Sequence, residues 1–223
     1  MKQKTSTMDL GLSKNESLFM NKHSIFAPRI LKNLIPKGLK FYTFKAGFKK
    51  KNDDLLLVVF DRVVNVACVY SKTSTPSAAI IWDKKNNKGF CKALLVNSGN
   101  ANAHTGEIGI QIINKYTSVL SKILKCNIRE ILVSSTGVIG EIFDPNLIIN
   151  QINKLNTSNA VDLITAAKSI ITTDTYIKTS IINAKIQNKT IKIFGFAKGS
   201  GMVQPNMGTM LTYIFIECDL NNT

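Results

Sequence analysis

Short runs rich in Val, Leu, Ile and Phe recur along the chain and read as strands. The first two, 54–60 and 63–70, flank Asp61-Arg62, which suits a tight turn. Further strands are predicted at 92–97 and 130–135. A hairpin is predicted at 180–187 and 190–196 across Gln187-Asn188-Lys189, and a closing strand at 210–218. Between them Ile108, Ile112, Tyr116, Val119, Leu120, Ile123 and Leu124 recur three and four apart, which predicts a helix over 106–125. Pro145 is placed to open a short helix carrying Leu147, Ile148, Ile149 and Ile152. Ser158 is placed to cap another, with Val161, Ile164, Ala167 and Ile171 on one face. Residues 1–33 lack a sustained period and read as a loosely attached extension. No internal repeat is visible. Strands, then helices, then strands again predict a mixed α/β domain.

Length and composition narrow this picture. The 223 residues are 44% hydrophobic, enough to bury a core and too apolar for a disordered chain. Apolar runs such as Leu55–Phe60 are strand-sized and far short of the ~20 residues a bilayer span needs. Lys2, Lys4, Asp9, Lys14 and Glu16 interrupt the first thirty residues, so the expectation is a cytoplasmic protein with no secretory signal and no membrane partner. The net charge of +15 raises nucleic-acid binding, but 26 of the 29 basic residues are Lys and only Arg29, Arg62 and Arg129 are Arg. Base readout and phosphate clamping favour the planar guanidinium, and the lysines are dispersed, so nucleic acid is the weaker reading. Cys68, Cys91, Cys126 and Cys218 show no paired spacing and read as reduced thiols. His23 and His104 lie far apart, which leaves poor material for a metal site or a histidine-based triad.

Four segments are dense in Gly, Ser, Thr and Asn: 97–106, 134–140, 172–175 and 197–209. Each alone is explained by turn chemistry; their coincidence in one chain is not. None has the spacing of a phosphate cradle. They do suit acyl transfer, which needs a nucleophile and donors for a developing oxyanion. Without a placed histidine, one solution is a Thr made N-terminal by chain cleavage. Its own α-amine, with a pKa of about 7.7–8.0, then removes the hydroxyl proton. Gly208-Thr209 suits such a self-cleavage point, since the Thr hydroxyl can attack the preceding carbonyl.

The wording of these segments, VNSGNANAHTGEIG (96–109), SSTGVIGE (134–141), TTDTYIK (172–178) and AKGSGMVQPNMGTML (197–211), resembles the ornithine acetyltransferase family, the glutamate N-acetyltransferases of arginine biosynthesis. The similarity covers about residues 34–217, in the family's motif order. It implies a layered α/β fold of the N-terminal-nucleophile type, with 34–208 as an α-chain-like domain and 209–223 as the start of a β chain. It implies cleavage between Gly208 and Thr209, Thr209 as nucleophile, Thr136 and Gly137 as the oxyanion hole, and Thr172 and Lys198, with Thr209, as substrate-binding residues. The implied reaction moves an acetyl group from N-acetylornithine to glutamate through an acetyl-threonine. The implied assembly is an α2β2 heterotetramer with no metal and no cofactor, and acetyl-CoA is a candidate co-substrate.

The chain departs from the family in having Gly208 where Ala usually precedes the nucleophile, and His104 where Cys is frequent. Only 14 residues follow Thr209, so on the resemblance the β chain and its substrate contacts are expected to be incomplete here. The alternative reading is an inactive remnant, or a non-catalytic half that needs a separate β-like chain. A related self-processing aminopeptidase shares the nucleophile logic but fits the motif wording poorly.

Overall fold

A computed structural model describes residues 36–186, 189–199 and 208–218. The extension expected at 1–33 and the loop residues 200–207 lie outside them.

Four strands form the first sheet in the order β1 (Leu39–Phe44), β2 (Leu55–Asn65), β3 (Phe90–Asn100) and β4 (Ile131–Val138). β1–β2 and β2–β3 pair antiparallel, whereas β3–β4 pair parallel. That parallel pair is linked through α2 (Gly106–Leu124), the helix expected from its spacing of apolar residues. The crossover delivers the C-terminal ends of β3 and β4 side by side, so two of the four motif loops are neighbours. Asn97 stands opposite Ser135, Ser98 opposite Thr136, and Gly99 opposite Gly137.

The sheet is covered on both faces. On one side Leu55, Leu57, Ala93, Leu95, Ile131 and Val133 pack against α1 (Ala78–Asn86), α2 and α3 (Asn146–Ile152), which contribute Trp82, Ile113, Tyr116, Leu120, Ile148 and Ile152. On the other, Phe41, Leu56, Val58, Leu94, Val96 and Leu132 meet α4 (Leu163–Ile170) and a second, antiparallel sheet of β5 (Lys178–Ile186), β6 (Lys189–Lys198) and β7 (Leu211–Glu217). The two sheets share an aromatic core. Phe41 meets the Phe196 and Phe215 rings edge-on, with centroids 6.0 and 5.7 Å apart, and Phe194 stacks on Phe215 at 5.2 Å. The result is a helix–sheet–sheet layering with α4 in the second interface.

Among the described residues no fifth strand pairs with β4, and α1 covers its edge instead. A carboxyl oxygen of the buried Asp83 accepts the Val133 N–H at 3.0 Å, and Trp82 Nε1 donates to the Ile131 carbonyl at 3.4 Å. Two unpaired ladder groups are thus satisfied by side chains.

Several expectations need correction. Asp61-Arg62 is not a hairpin turn, because β2 runs through it as one strand. Pairing with β3 jumps from Val59↔Ala93 to Val64↔Cys91, a bulge, and Lys92 Nζ donates to the Phe60 and Asp61 carbonyls that the bulge frees, at 2.7 and 2.9 Å. Residues 66–70 form no strand. The cap of α4 is Asp162, whose carboxylate accepts the Thr165 N–H at 2.7 Å; Ser158 instead bonds back to the Lys154 carbonyl. Val161, ahead of the helix, bridges to Phe41. Part of the segment read as a loop, Thr136–Val138, belongs to β4.

Candidate active site

The motif of residues 96–109 builds a polar scaffold at the end of β3. Asn97, fully buried, donates to the Asn100 carbonyl at 2.8 Å and accepts from Ser135 Oγ at 2.6 Å. Asn100 donates to the Glu141 carbonyl at 2.9 Å and accepts the Asn102 N–H at 2.8 Å. Asn102 in turn donates to the Gly109 carbonyl and accepts from Thr105 Oγ1. Buried amides need every partner, and here the partners are the loops themselves. Their role is to hold the ends of β3 and β4 and the start of α2 in one arrangement.

Ser98 reaches the other way. Its hydroxyl donates to the Ser169 carbonyl at 2.6 Å, in the last turn of α4. Lys49 Nζ donates to the same carbonyl at 2.8 Å and to that of Ile171 at 3.2 Å. A cation and a hydroxyl thus cap the negative end of α4 just ahead of Thr172. Lys49 is itself fixed by its loop: the fully buried Asp54 carboxylate accepts the N–H groups of Ala46, Gly47 and Lys49 at 2.6, 3.0 and 2.8 Å. Burial lowers the pKa of the Lys49 amine, and Asp54 and Asp53 oppose the shift.

The remaining motifs converge on Lys198. In β6 the side chains of Phe194, Phe196 and Lys198 alternate onto the buried face, so strand periodicity itself turns the last of them inward. The Lys198 side chain is 5% exposed. Its Nζ donates to Thr136 Oγ1 at 3.2 Å and to the Thr209 carbonyl oxygen at 3.1 Å. Asp174 Oδ2 lies 3.9 Å away, and the Asp174 side chain is fully buried. Asp174 also accepts from Lys178 Nζ at 2.6 Å, from the Gly199 N–H at 2.7 Å and from the Thr172 N–H at 3.4 Å. Gly137, next to Thr136, has φ +134° and lies against the backbone of Gly99 and Asn100, where no side chain fits.

Thr136, Lys198 and Thr209 are therefore joined through one ammonium, Thr172 is attached through Asp174, and Gly137 and Gly208 adjoin Thr136 and Thr209 in the chain. Asp174, Lys178 and Lys49 carry no role in the sequence reading. An acid and a lysine four apart in TTDTYIK were the available signal for the first two. His104 lies elsewhere, lining a hollow of about 360 Å3 between α1 and the start of α2 with Thr75, Pro76 and Glu107. His23 lies outside the described residues.

The electrostatics follow from burial. Loss of water pushes the Lys198 amine below its usual pKa; Asp174 opposes the shift and Lys178 adds to it. Burial pushes the Asp174 carboxyl up, but the Lys178 and Gly199 hydrogen bonds and the two ammoniums outweigh it, so it titrates below the ordinary range. Chemically, this is a buried, partly neutralised cation between two hydroxyl-bearing residues. Among the described residues, no helix is long and apolar enough to cross a membrane.

A family model described as the ArgJ family matches residues 40–223. The arginine biosynthesis bifunctional protein ArgJ of Bradyrhizobium diazoefficiens is 37% identical over 201 residues, covering 88% of this chain and 49% of that protein. Its counterpart from Rhizobium meliloti is 38% identical over 187 residues, covering 82% and 45%. The chain thus spans about half the length of these curated relatives. A crystal structure of the bifunctional protein from Bacillus halodurans superposes with a TM-score of 0.69 at 28% identity, covering 78% of this chain and 92% of that one. An ornithine acetyltransferase structure from Mycobacterium tuberculosis, crystallised with ornithine, gives 0.64 at 22% identity over 79% and 94%, and adds support for the fold. The layered α/β architecture expected from the sequence is that of these solved proteins.

Proposed function

The chain belongs to the ArgJ family, and on that premise we propose that it is the nucleophile-bearing part of a cytoplasmic N-acetyltransferase of arginine biosynthesis. Its substrates are N-acetylornithine as donor and glutamate as acceptor, with acetyl-CoA as a further donor. The observation that carries the reading is the Lys198 ammonium bonded at once to Thr136 and Thr209, residues 62 and 11 positions away.

The proposed sequence begins with the Thr209 hydroxyl attacking the Gly208 carbonyl. The peptide C–N bond breaks as the ester forms, and water hydrolyses that ester to leave Thr209 with a free α-amine. In turnover the amine takes the hydroxyl proton, Oγ attacks the acetyl carbonyl, and the negative charge develops beside Thr136 and Gly137. The C–N bond to ornithine then breaks as the proton passes to the departing amine. Attack of the glutamate amine on the acetyl-threonine ester completes the transfer. A cation bonded to the carbonyl of Thr209 itself disfavours protonation of the adjacent α-amine and so keeps it available as a base. Thr172 and Lys198 bind substrate in this reading, within an α2β2 heterotetramer.

Mass spectrometry of the purified chain tests it. Wild type should yield two pieces with Thr209 as a new N-terminus, and Thr209→Ala should stay whole. An intact wild-type chain removes the mechanism.

A second reading holds that this portion is silent until a separate β-like chain joins it. Acetyl transfer from N-acetylornithine that appears only on adding such a chain selects it.

A further inference from the structure

We propose that Asp174 is a positioning residue for this reaction: it holds the Lys198 ammonium between Thr136 and Thr209. The proposal rests on the reading of Thr209 as nucleophile. Asp174 itself touches neither Thr136 nor Thr209 in any described contact; it acts through the lysine.

Lys198 has four rotatable bonds, and its two hydrogen bonds to Thr136 and Thr209 leave its position open to drift. Asp174 fixes it twice. Through Oδ1 it accepts the N–H of Gly199, which anchors the main chain one residue beyond Lys198 at 2.7 Å. Through Oδ2 it faces the ammonium at 3.9 Å, a charge contact without a hydrogen bond. The Thr172 N–H, also on Oδ2, ties the same carboxylate to the loop leaving α4.

A second cation shares the carboxylate. Lys178 is 36% exposed and can turn into solvent, whereas Lys198, at 5%, cannot. Without Asp174 two ammoniums would face each other across an empty place, and the buried one would lose its proton or its position. The charged groups that act on Lys198 are Asp174, which raises its pKa, and Lys178, which lowers it.

The test follows the Lys198 13Cε resonance against pH in the 13C-lysine-labelled full chain, assigned by its absence in Lys198→Arg. Asp174→Asn should move the Lys198 midpoint down by about one pH unit or more, and Asp174→Glu should restore most of it. Lys178→Met should raise the midpoint, because Lys178 lowers it and shares the carboxylate. In acetyl transfer, Asp174→Asn should shift the alkaline limb of the kcat profile down with the same midpoint and cost about tenfold or more in kcat. A midpoint that stays at the wild-type value in Asp174→Asn, with only thermal stability reduced, overturns the proposal. If Asp174→Asn does not fold, a midpoint unchanged or lower in Lys178→Met overturns it and a higher one supports it. A wild-type chain that neither cuts itself nor transfers acetyl removes the functional reading and with it the positioning for this reaction, while the titration decides separately whether Asp174 holds the Lys198 ammonium.

Discussion

Gly137 faces Gly99 backbone to backbone across the parallel pair β3–β4, so closely that a Cβ on Gly137 would overlap the Gly99 carbonyl carbon. With φ +134°, Gly137 also occupies backbone space that L side chains avoid. Gly137→Ala should therefore cost about 2–4 kcal/mol of stability and displace Thr136, with self-cleavage slowed in proportion. Urea unfolding measures the first effect; an unchanged midpoint would contradict the close approach.

Asp83 ties stability to pH. Burial raises its carboxyl to about 8 in the folded chain, with the Val133 N–H opposing the rise. The unfolded carboxyl loses its proton near the ordinary value of 3.8. Its contribution is therefore full below that value and is lost as pH rises towards 8, where the folded chain must ionise a buried group. Asp83→Asn keeps an oxygen for Val133 and removes the ionisation. It should gain stability over wild type on the order of 4 kcal/mol at pH 7, and little at pH 4. Equal wild-type and variant pH slopes in chemical denaturation would sink this account.

Lys49→Met should remove the cation from the carboxyl end of α4 and lower stability by about 1–2 kcal/mol. It should also slow cleavage, because Thr172 begins where that helix ends. Lys50→Met, which alters an exposed neighbour, should do neither. Parallel thermal melts and cleavage time courses separate the two lysines; identical behaviour would deny the tether.

Gly208→Ala should hasten cleavage by about two- to five-fold, since Ala narrows the backbone freedom that must be lost to reach the attack geometry. A time course by mass spectrometry reads this directly, and slower cutting in the variant would show that Gly208 supplies a conformation Ala cannot.

What could be read from the amino acids alone divides along physical lines. α2 was legible because its apolar residues keep helical spacing over nineteen residues. α1 was not: Ala-Ala-Ile-Ile-Trp-Asp-Lys-Lys-Asn has no sustained apolar face, and its one cue is the Ser77 cap, whose oxygen accepts the Ile80 N–H at 3.4 Å. Asp61-Arg62 between two β-rich runs has the composition of a turn; only the register against β3 shows it to be a bulge. Thr209 is reached from acyl-transfer chemistry alone, whereas Thr136 and Lys198 come into view through motif resemblance, since no local pattern links positions so far apart. Asp174 stood inside a recognised motif, yet an Asp among threonines reads as a turn residue until its partners are seen.

The Ser169 carbonyl gathers donors from 120 and 71 residues earlier in the chain, Lys49 and Ser98. Its helix leads straight to the Thr172–Asp174 turn, and Lys198 closes on Thr136 across 62 residues more. No short segment of the chain contains this arrangement, and it cannot form from neighbours in sequence. On the proposed reading, the cut at Thr209 is then a record the molecule keeps of its own folding: a chain bears it only after parts remote in sequence have met.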